Sequence, residues 1–315
     1  MMGLPELKRP ASGAAGRATP TKLMFSVKWG SLDHIKEVDG EYGDELINLI
    51  KSGSAKTDFL AYAWLAVETG QNIIVAGAPL SGNADMLISM SAFVPPYQRV
   101  LAIDEEPNKL ELDKLLTNAL ALGDVSENAP EFKRRQVACA IKIRPDRLIL
   151  GKLHGNETKE AFLAATLGIP LMAAFDCNSD AIDLIQKLVS EPICVDQGAI
   201  SMLDVSIFVS KGIDGKALYG ASEYRWLERA EVSTDELAGF NGHFKAVAIA
   251  ESGTTSRTTL KESKVIAKYA RANHTSISGA LKELDRRSAF LEGIDDGQNS
   301  AKKVSEYICG YYEID

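Results

Sequence analysis

A chain of 315 residues with 45% apolar and 25% charged content can bury one large core or two modest ones, and has the balance of a soluble globular protein. Its formal charge of -8 argues against a protein whose main business is coating nucleic acid, so no nucleic-acid partner is expected. No apolar run approaches the roughly 20 residues needed to span a bilayer, and the start lacks the apolar stretch of about 7 to 15 residues that marks a secretory signal, so a cytoplasmic location is expected.

In chain order, residues 1–21 carry Pro, Gly, Ser and Ala without periodicity and read as a mobile arm. Residues 22–29 alternate like a strand. Helical spacing follows over 42–51, where Leu46, Ile47, Leu49 and Ile50 form the apolar set, and again around Phe59, Leu60, Trp64, Leu65 and Val67 up to Gly70. From residue 71 short apolar runs alternate with helical ones: strands are predicted at 72–76, 99–103, 147–150, 170–174 and 205–210, with helices at 83–93, 132–143, 158–167 and 180–189. That order predicts an α/β fold with a largely parallel sheet and crossover helices. Asn178 or Ser179 is the expected cap of the fourth of these helices. Residues 216–227 and 243–251 read as a hairpin, and three helical pieces follow at 260–272, 276–291 and 301–312.

The chemistry-bearing motif lies between the strand at 72–76 and the helix after it: Gly77-Ala78-Pro79-Leu80-Ser81-Gly82-Asn83-Ala84. Its layout is that of a P-loop, in which backbone N–H groups and a helix N-terminus surround a phosphate, a Lys contacts the β and γ phosphates, and a Ser/Thr hydroxyl holds magnesium. The glycine spacing of Gly77 and Gly82 is kept, but Asn83 stands at the Lys position and Ala84 at the hydroxyl position.

The neighbouring segments resemble one family. Leu60-Ala61-Tyr62-Ala63-Trp64-Leu65-Ala66-Val67-Glu68 before the loop, Phe93-Val94-Pro95-Pro96 after its helix, and Ile143-Arg144-Pro145-Asp146-Arg147-Leu148-Ile149-Leu150-Gly151 are similar to the archaeal branch of the type II/type IV secretion motor ATPases. So are Glu283-Leu284-Asp285-Arg286-Arg287, Phe290-Leu291 and Tyr311-Tyr312. The resemblance implies a P-loop, RecA-like domain over 71–255, a helical C-terminal subdomain over 256–315, and a remnant of the family's N-terminal domain with linker helices over 22–70. It also implies a ring, homo- or hetero-oligomeric, with protein partners in a pilus, archaellum or secretion platform at the inner face of the membrane, one of them an active ATPase paralogue.

Carried onto this chain, the family's acidic segment falls on Ile103-Asp104-Glu105-Glu106-Pro107, with Asp104 and Glu105 in swapped order. The Gly-Glu that ends its Walker B strand is Gly151-Lys152, followed by His154-Gly155 where the family has an Arg. Its later histidines are replaced by Ile169, after Gly168, and by Asp176. Phosphoryl transfer depends on positioned charge. A charge pair about 4 Å apart is worth roughly 4 kcal/mol at an effective dielectric of about 20, or about three decades of rate if lost from the transition state. The expectation is a chain without useful hydrolysis and without a resident cofactor or metal. The alternative is a rearranged motor site that binds ATP or ADP with magnesium. Lys152 has two readings: a salt bridge with Asp104 or Glu105, or an ammonium reaching back to the loop.

The remaining features read plainly. Cys139, Cys177, Cys194 and Cys309 lack metal spacing and are taken as small buried hydrophobes. Arg134-Arg135 and Lys302-Lys303 are solvated helix faces, while Trp64, Trp226, Tyr311 and Tyr312 are packing aromatics. His34, His154, His243 and His274 belong to no nucleophile motif.

Overall fold

The computed structural model describes residues 44–103, 119–122, 129–178, 180–213, 215–226, 244–295, 308 and 310–312. The arm over 1–21 and the strand expected at 22–29 lie outside these residues. In chain order the elements are α1 (Asp44–Ser52), α2 (Thr57–Glu68), β1 (Ile73–Gly77), α3 (Asn83–Ser91), β2 (Val100–Ile103), β3 (Ala119–Leu122), α4 (Ala129–Ile143) and β4 (Arg147–Leu153). Then come α5 (Glu157–Thr166), β5 (Leu171–Asp176), α6 (Ala181–Val189), α7 (Gln197–Ile200), β6 (Val205–Lys211), β7 (Ala217–Trp226), β8 (Phe244–Glu251) and β9 (Thr254–Thr255). Three helices follow, α8 (Arg257–Leu260), α9 (Lys264–Ala272) and α10 (Ile277–Glu292).

One sheet organises the chain, in the order β3-β2-β4-β5-β1-β6-β7-β8-β9. The strands from β3 to β6 are parallel to their neighbours, and β7, β8 and β9 add on antiparallel. The fold is of the expected α/β class, a largely parallel sheet with flanking helices, and the paired segments at 216–227 and 243–251 are the antiparallel β7 and β8. The chain leaves β1 for one side of the sheet, returns to it at β5, and then continues on its other side at β6. Such a switch in direction opens a crevice at the C-terminal ends of the strands, where ligands of open α/β sheets bind.

Alternation along the central strands divides the interior into two cores. Ile73, Val75, Ile149, Met172, Ala174, Val205 and Ile207 face α1, α2, α3, α9 and α10. Ile74, Ala76, Leu148, Leu150, Leu171, Ala173, Phe175 and Phe208 face α4, α5, α6 and α7. Because both faces are covered, β1 is buried along its whole length, which explains its unbroken apolar run. Helix α2 is apolar all round for the same reason: every residue from Phe59 to Val67 is buried, with the sheet beneath and α10 against it.

Among the described residues, Arg287 carries a charge into this interior with partners. Arg287 of α10, its side chain 3% exposed, makes ion pairs with Glu68 at 2.6 Å, at an angle outside hydrogen-bond geometry, and with Glu283 at 2.8 Å. Its guanidinium lies 4.7 Å from the Trp64 ring centroid, and Trp64 stacks on Phe93 at 5.2 Å. Burial opposes the Arg287 charge, but Glu68 and Glu283 outweigh it, and the group is held above its ordinary pKa. Tyr312 closes the cluster: its hydroxyl accepts from Trp64 Nε1 at 2.7 Å and donates to Glu68 at 3.1 Å.

Several sequence expectations are corrected. The helix expected over 260–272 breaks after α8, because Ser263 caps a new start by accepting from Ile266 N at 3.2 Å while buried Glu223 accepts Lys264 N at 2.6 Å. The cap of α6 is Asp180, which accepts from Asp183 N at 2.7 Å, rather than Asn178 or Ser179. Strands β3 and β9 and the one-turn helices α7 and α8 are additions. Of the helix expected at 301–312, only Ile308 and 310–312 are described, and they are helical. Arg287→Ala strands two part-buried carboxylates and is expected to cost about 3–5 kcal/mol, against about 0–1 kcal/mol for Arg257→Ala in an exposed pair. Urea unfolding checks both, and equal small losses would show that the Arg287 cluster does not hold α10 down.

Candidate functional site

Strand β1 ends at Gly77, and the loop 78–82 carries the chain into α3. Gly82 has φ +100°, which favours glycine, and Leu80, 89% exposed, takes the left-handed region at φ 64°. Ser81 N donates to Ala78 O at 3.0 Å and closes the turn. The Ser81 side chain is buried against the Gly77 α-carbon, and its hydroxyl has no hydrogen-bond partner. A Cβ at Gly77 would overlap both that hydroxyl and the Val209 carbonyl of neighbouring β6.

Parallel pairing sets Gly77 opposite Asp176 at the end of β5. Asn83, at the first position of α3, turns its amide to that strand end. Its Nδ2 donates to Asp176 Oδ1 at 3.1 Å and to Phe175 O at 3.3 Å, while its Oδ1 accepts Ala84 N at 3.0 Å. All three polar positions of this buried amide are used. From the other side, Lys152 Nζ forms an ion pair with Asp176 Oδ2. A bulge aims it there: β4 pairs Leu150 with Ala173 but Leu153 with Phe175, so the register shifts around Gly151 and Lys152. Sequence reasoning paired Lys152 with Asp104 or Glu105, or sent it to the loop; the ion pair found is with Asp176, whose carboxylate links it to Asn83. Asp104 and Glu105 themselves lie outside the described residues.

Two residues near this junction went unread in the sequence. Glu157, the first residue of α5, is buried, and its Oε1 accepts His154 N at 2.9 Å and Gly155 N at 2.8 Å. The carboxylate thereby takes the backbone donors of the turn after β4. Thr158 beside it is buried with an unpartnered hydroxyl. A Gly-x-Glu following a strand was the available signal for Glu157. Asp176 was read only as the replacement of a histidine, since nothing local in sequence shows that β5 lies between β4 and β1.

Of the cysteines expected to be buried, Cys177 is buried, Cys139 is half-buried and Cys194 is exposed. Cys194 departs because it sits in a turn at φ 50°, with its N–H donating to Ser190 O at 2.9 Å. Cys309 lies outside the described side chains, as do His34, His243, Trp226, Lys302 and Lys303. His154 and His274 are exposed. Among the described residues no group of three or more His, Cys, Asp or Glu is placed to hold a metal, and no helix is long and apolar enough to cross a membrane.

The sheet and its loop define an α/β protein in which a glycine-bearing turn joins the central strand β1 to α3. Comparison with known proteins then supplies relatives. No family model matches the sequence. The chain is 28% identical over 158 residues to an uncharacterized protein of Methanocaldococcus jannaschii, covering 50% of this chain and 58% of that one. It is 30% identical over 167 residues to the type IV secretion system protein PtlH of Bordetella pertussis, covering 52% and 47%. Among solved structures, the VirB11 ATPase from the Brucella suis type IV secretion system matches with a TM-score of 0.42 at 20% identity, over 56% of this chain and 55% of that one. The chain thus spans about half the length of these relatives.

Gly77→Ala is expected to lower stability by about 1–3 kcal/mol, measured by thermal unfolding, because the carbonyl it meets belongs to a central strand and cannot step aside. Burial, with Asp183 nearby, pushes the Cys177 thiol up to about 12. At pH 8 a thiolate-selective reagent should therefore label exposed Cys194 well before Cys177. Equal labelling rates, followed by mass spectrometry of the folded protein, would show that the end of β5 opens readily.

Proposed function

We propose that this chain is a non-hydrolysing relative of the archaeal-branch secretion ATPases, serving as a structural or regulatory subunit of a type IV pilus-like or type II secretion machine. The observation that carries the reading is the Asn83 side chain. It stands where a P-loop lysine would meet phosphate, offers an amide in place of an ammonium, and spends both its N–H groups on β5. Ala84 has no oxygen for a magnesium ion, and Lys152 brings a cation to the place where the resembling family puts its water-organising carboxylate. This donor set does not fit a magnesium nucleotide, so no catalytic step is assigned to the site. Similarity to PtlH, a type IV secretion system protein, supports the link to a secretion machine.

In this reading the fold is retained as a shape for assembly. The chain takes its place in a ring, with its own copies or with an active paralogue, at the cytoplasmic face of a membrane platform. The test is calorimetric titration with ATP and ADP, with and without magnesium, alongside a phosphate-release assay. Binding no tighter than about millimolar and no magnesium-dependent phosphate release are expected. Magnesium-dependent micromolar binding that disappears in Lys152→Ala would overturn the reading in favour of a rebuilt motor site.

A further inference from the structure

We propose that Asp176 is the built-in anion of the loop: its carboxylate takes the place of a phosphate among the donors at the β1–α3 junction and turns phosphate-bearing ligands away. The inference rests on the reading that the natural chain does not take magnesium nucleotide, and goes beyond it by assigning that property to one added negative charge. Loss of the lysine and hydroxyl alone would leave a weak anion site, because the backbone of the loop is still shaped for one. Gly82 is left-handed at φ +100°, and the nine-residue helix α3 points its N-terminus into the turn.

A second, independent feature points to a ligand of the same kind. The Ser81 hydroxyl is buried inside the loop beside Gly77 and has no partner. Buried hydroxyls are ordinarily paired, and an orphan in a turn at a helix N-terminus is a donor available to an anion. Facing this turn from β5, Asp176 receives the Asn83 amide at 3.1 Å and the Lys152 ammonium. Both are donors of the type that contact phosphate oxygens. Its backbone is fixed by the pairing of Gly77 with Asp176 and by the bond from Cys177 N to Gly77 O at 3.0 Å, and its carboxylate is held at the loop by Asn83 and Lys152. An incoming phosphate would meet a fixed carboxylate in partly buried surroundings, where like charges repel more strongly than in water. Asp85, in the first turn of α3, is exposed and can turn into solvent.

The ligand class admitted once that charge is gone is a small phosphate or diphosphate, without a requirement for magnesium. Inorganic diphosphate is therefore the probe, titrated by calorimetry at fixed ionic strength into the whole chain and three variants. Asp176→Asn keeps the volume and the carbonyl that accepts from Asn83, Asp176→Ala removes both, and Glu251→Gln makes the same change in net charge at an exposed site on β8. The wild type and Glu251→Gln should bind no tighter than about millimolar, and Asp176→Asn and Asp176→Ala about tenfold tighter or more. Adding Ser81→Ala to Asp176→Asn should remove part of the gain. If both Asp176 variants melt cooperatively and bind diphosphate no better than Glu251→Gln, Asp176 is not what excludes anions. That failure leaves the non-hydrolysing reading intact, whereas magnesium-ATP binding by the wild type overturns that reading whatever the variants do.

Discussion

Pairing of β1 with a parallel strand on each side is the constraint from which the remaining structure follows. Because β5 and β6 both hydrogen-bond to it, β1 has no edge, and because helices cover both faces, none of its side chains reaches water. A strand in that position must be apolar throughout, and its successive residues feed two different cores. It also carries Gly77 to the end of the sheet directly opposite Asp176. The site is thus set by sheet register before any side-chain chemistry is considered. A slip of one residue would exchange the two cores and remove Asp176 from the loop.

On one side of the sheet, polar groups mark the edges of the apolar layer and tie the C-terminal helices to it. Glu223, buried on β7, accepts from Tyr62 of α2 at 2.9 Å and from the first backbone donor of α9. Burial and the Glu223 charge together raise the Tyr62 phenol well above its ordinary pKa, so it stays a donor. At the far end of α2, fully buried Arg147 gives Nη2 to Val67 O at 2.5 Å and Nε to Gln98 at 3.1 Å. A guanidinium at the C-terminal carbonyls of a helix complements the helix dipole. Burial nonetheless lowers the Arg147 pKa to about 10. Helix α2 is therefore held near its middle and at its C-terminal end by charges on other elements, consistent with its having no polar face of its own.

What the sequence discloses follows from how local each signal is. The alternation of short apolar runs with helical ones gave the α/β class, and β1, β2, β4, β5 and β6 lie where apolar runs end at turn residues. The loop 77–84 was legible because a strand, two glycines and a helix start are all local. Strand β3 was missed because Ala119–Leu122 is four residues long and carries no alternation. The break between α8 and α9 depends on Glu223, about 40 residues earlier in the chain, reaching Lys264 N. The ion pair of Lys152 with Asp176 was unreadable for a similar reason, since nothing local in the sequence shows that β5 lies beside β4.

A lost catalytic group and a refilled one have different consequences for a fold. An apolar residue at position 83 would leave the Ala84 N–H without its acceptor and the Asp176 carboxylate with Lys152 in place of two donors. A buried polar group left unpaired costs about 1–3 kcal/mol. Asparagine has two donors and an acceptor on one short side chain, and its geometry at the start of α3 satisfies all three partners at once. Lysine has no acceptor to offer Ala84 N. An ordinary P-loop leaves its helix N-terminus unsatisfied until a phosphate arrives, so its loop is stabilised by ligand. Here one such donor, Ala84 N, is already satisfied from within the chain, and the loop can keep its form without a nucleotide. That difference is what the proposed non-hydrolysing role requires, since a loop that keeps its form without a ligand does not depend on a nucleotide for its stability.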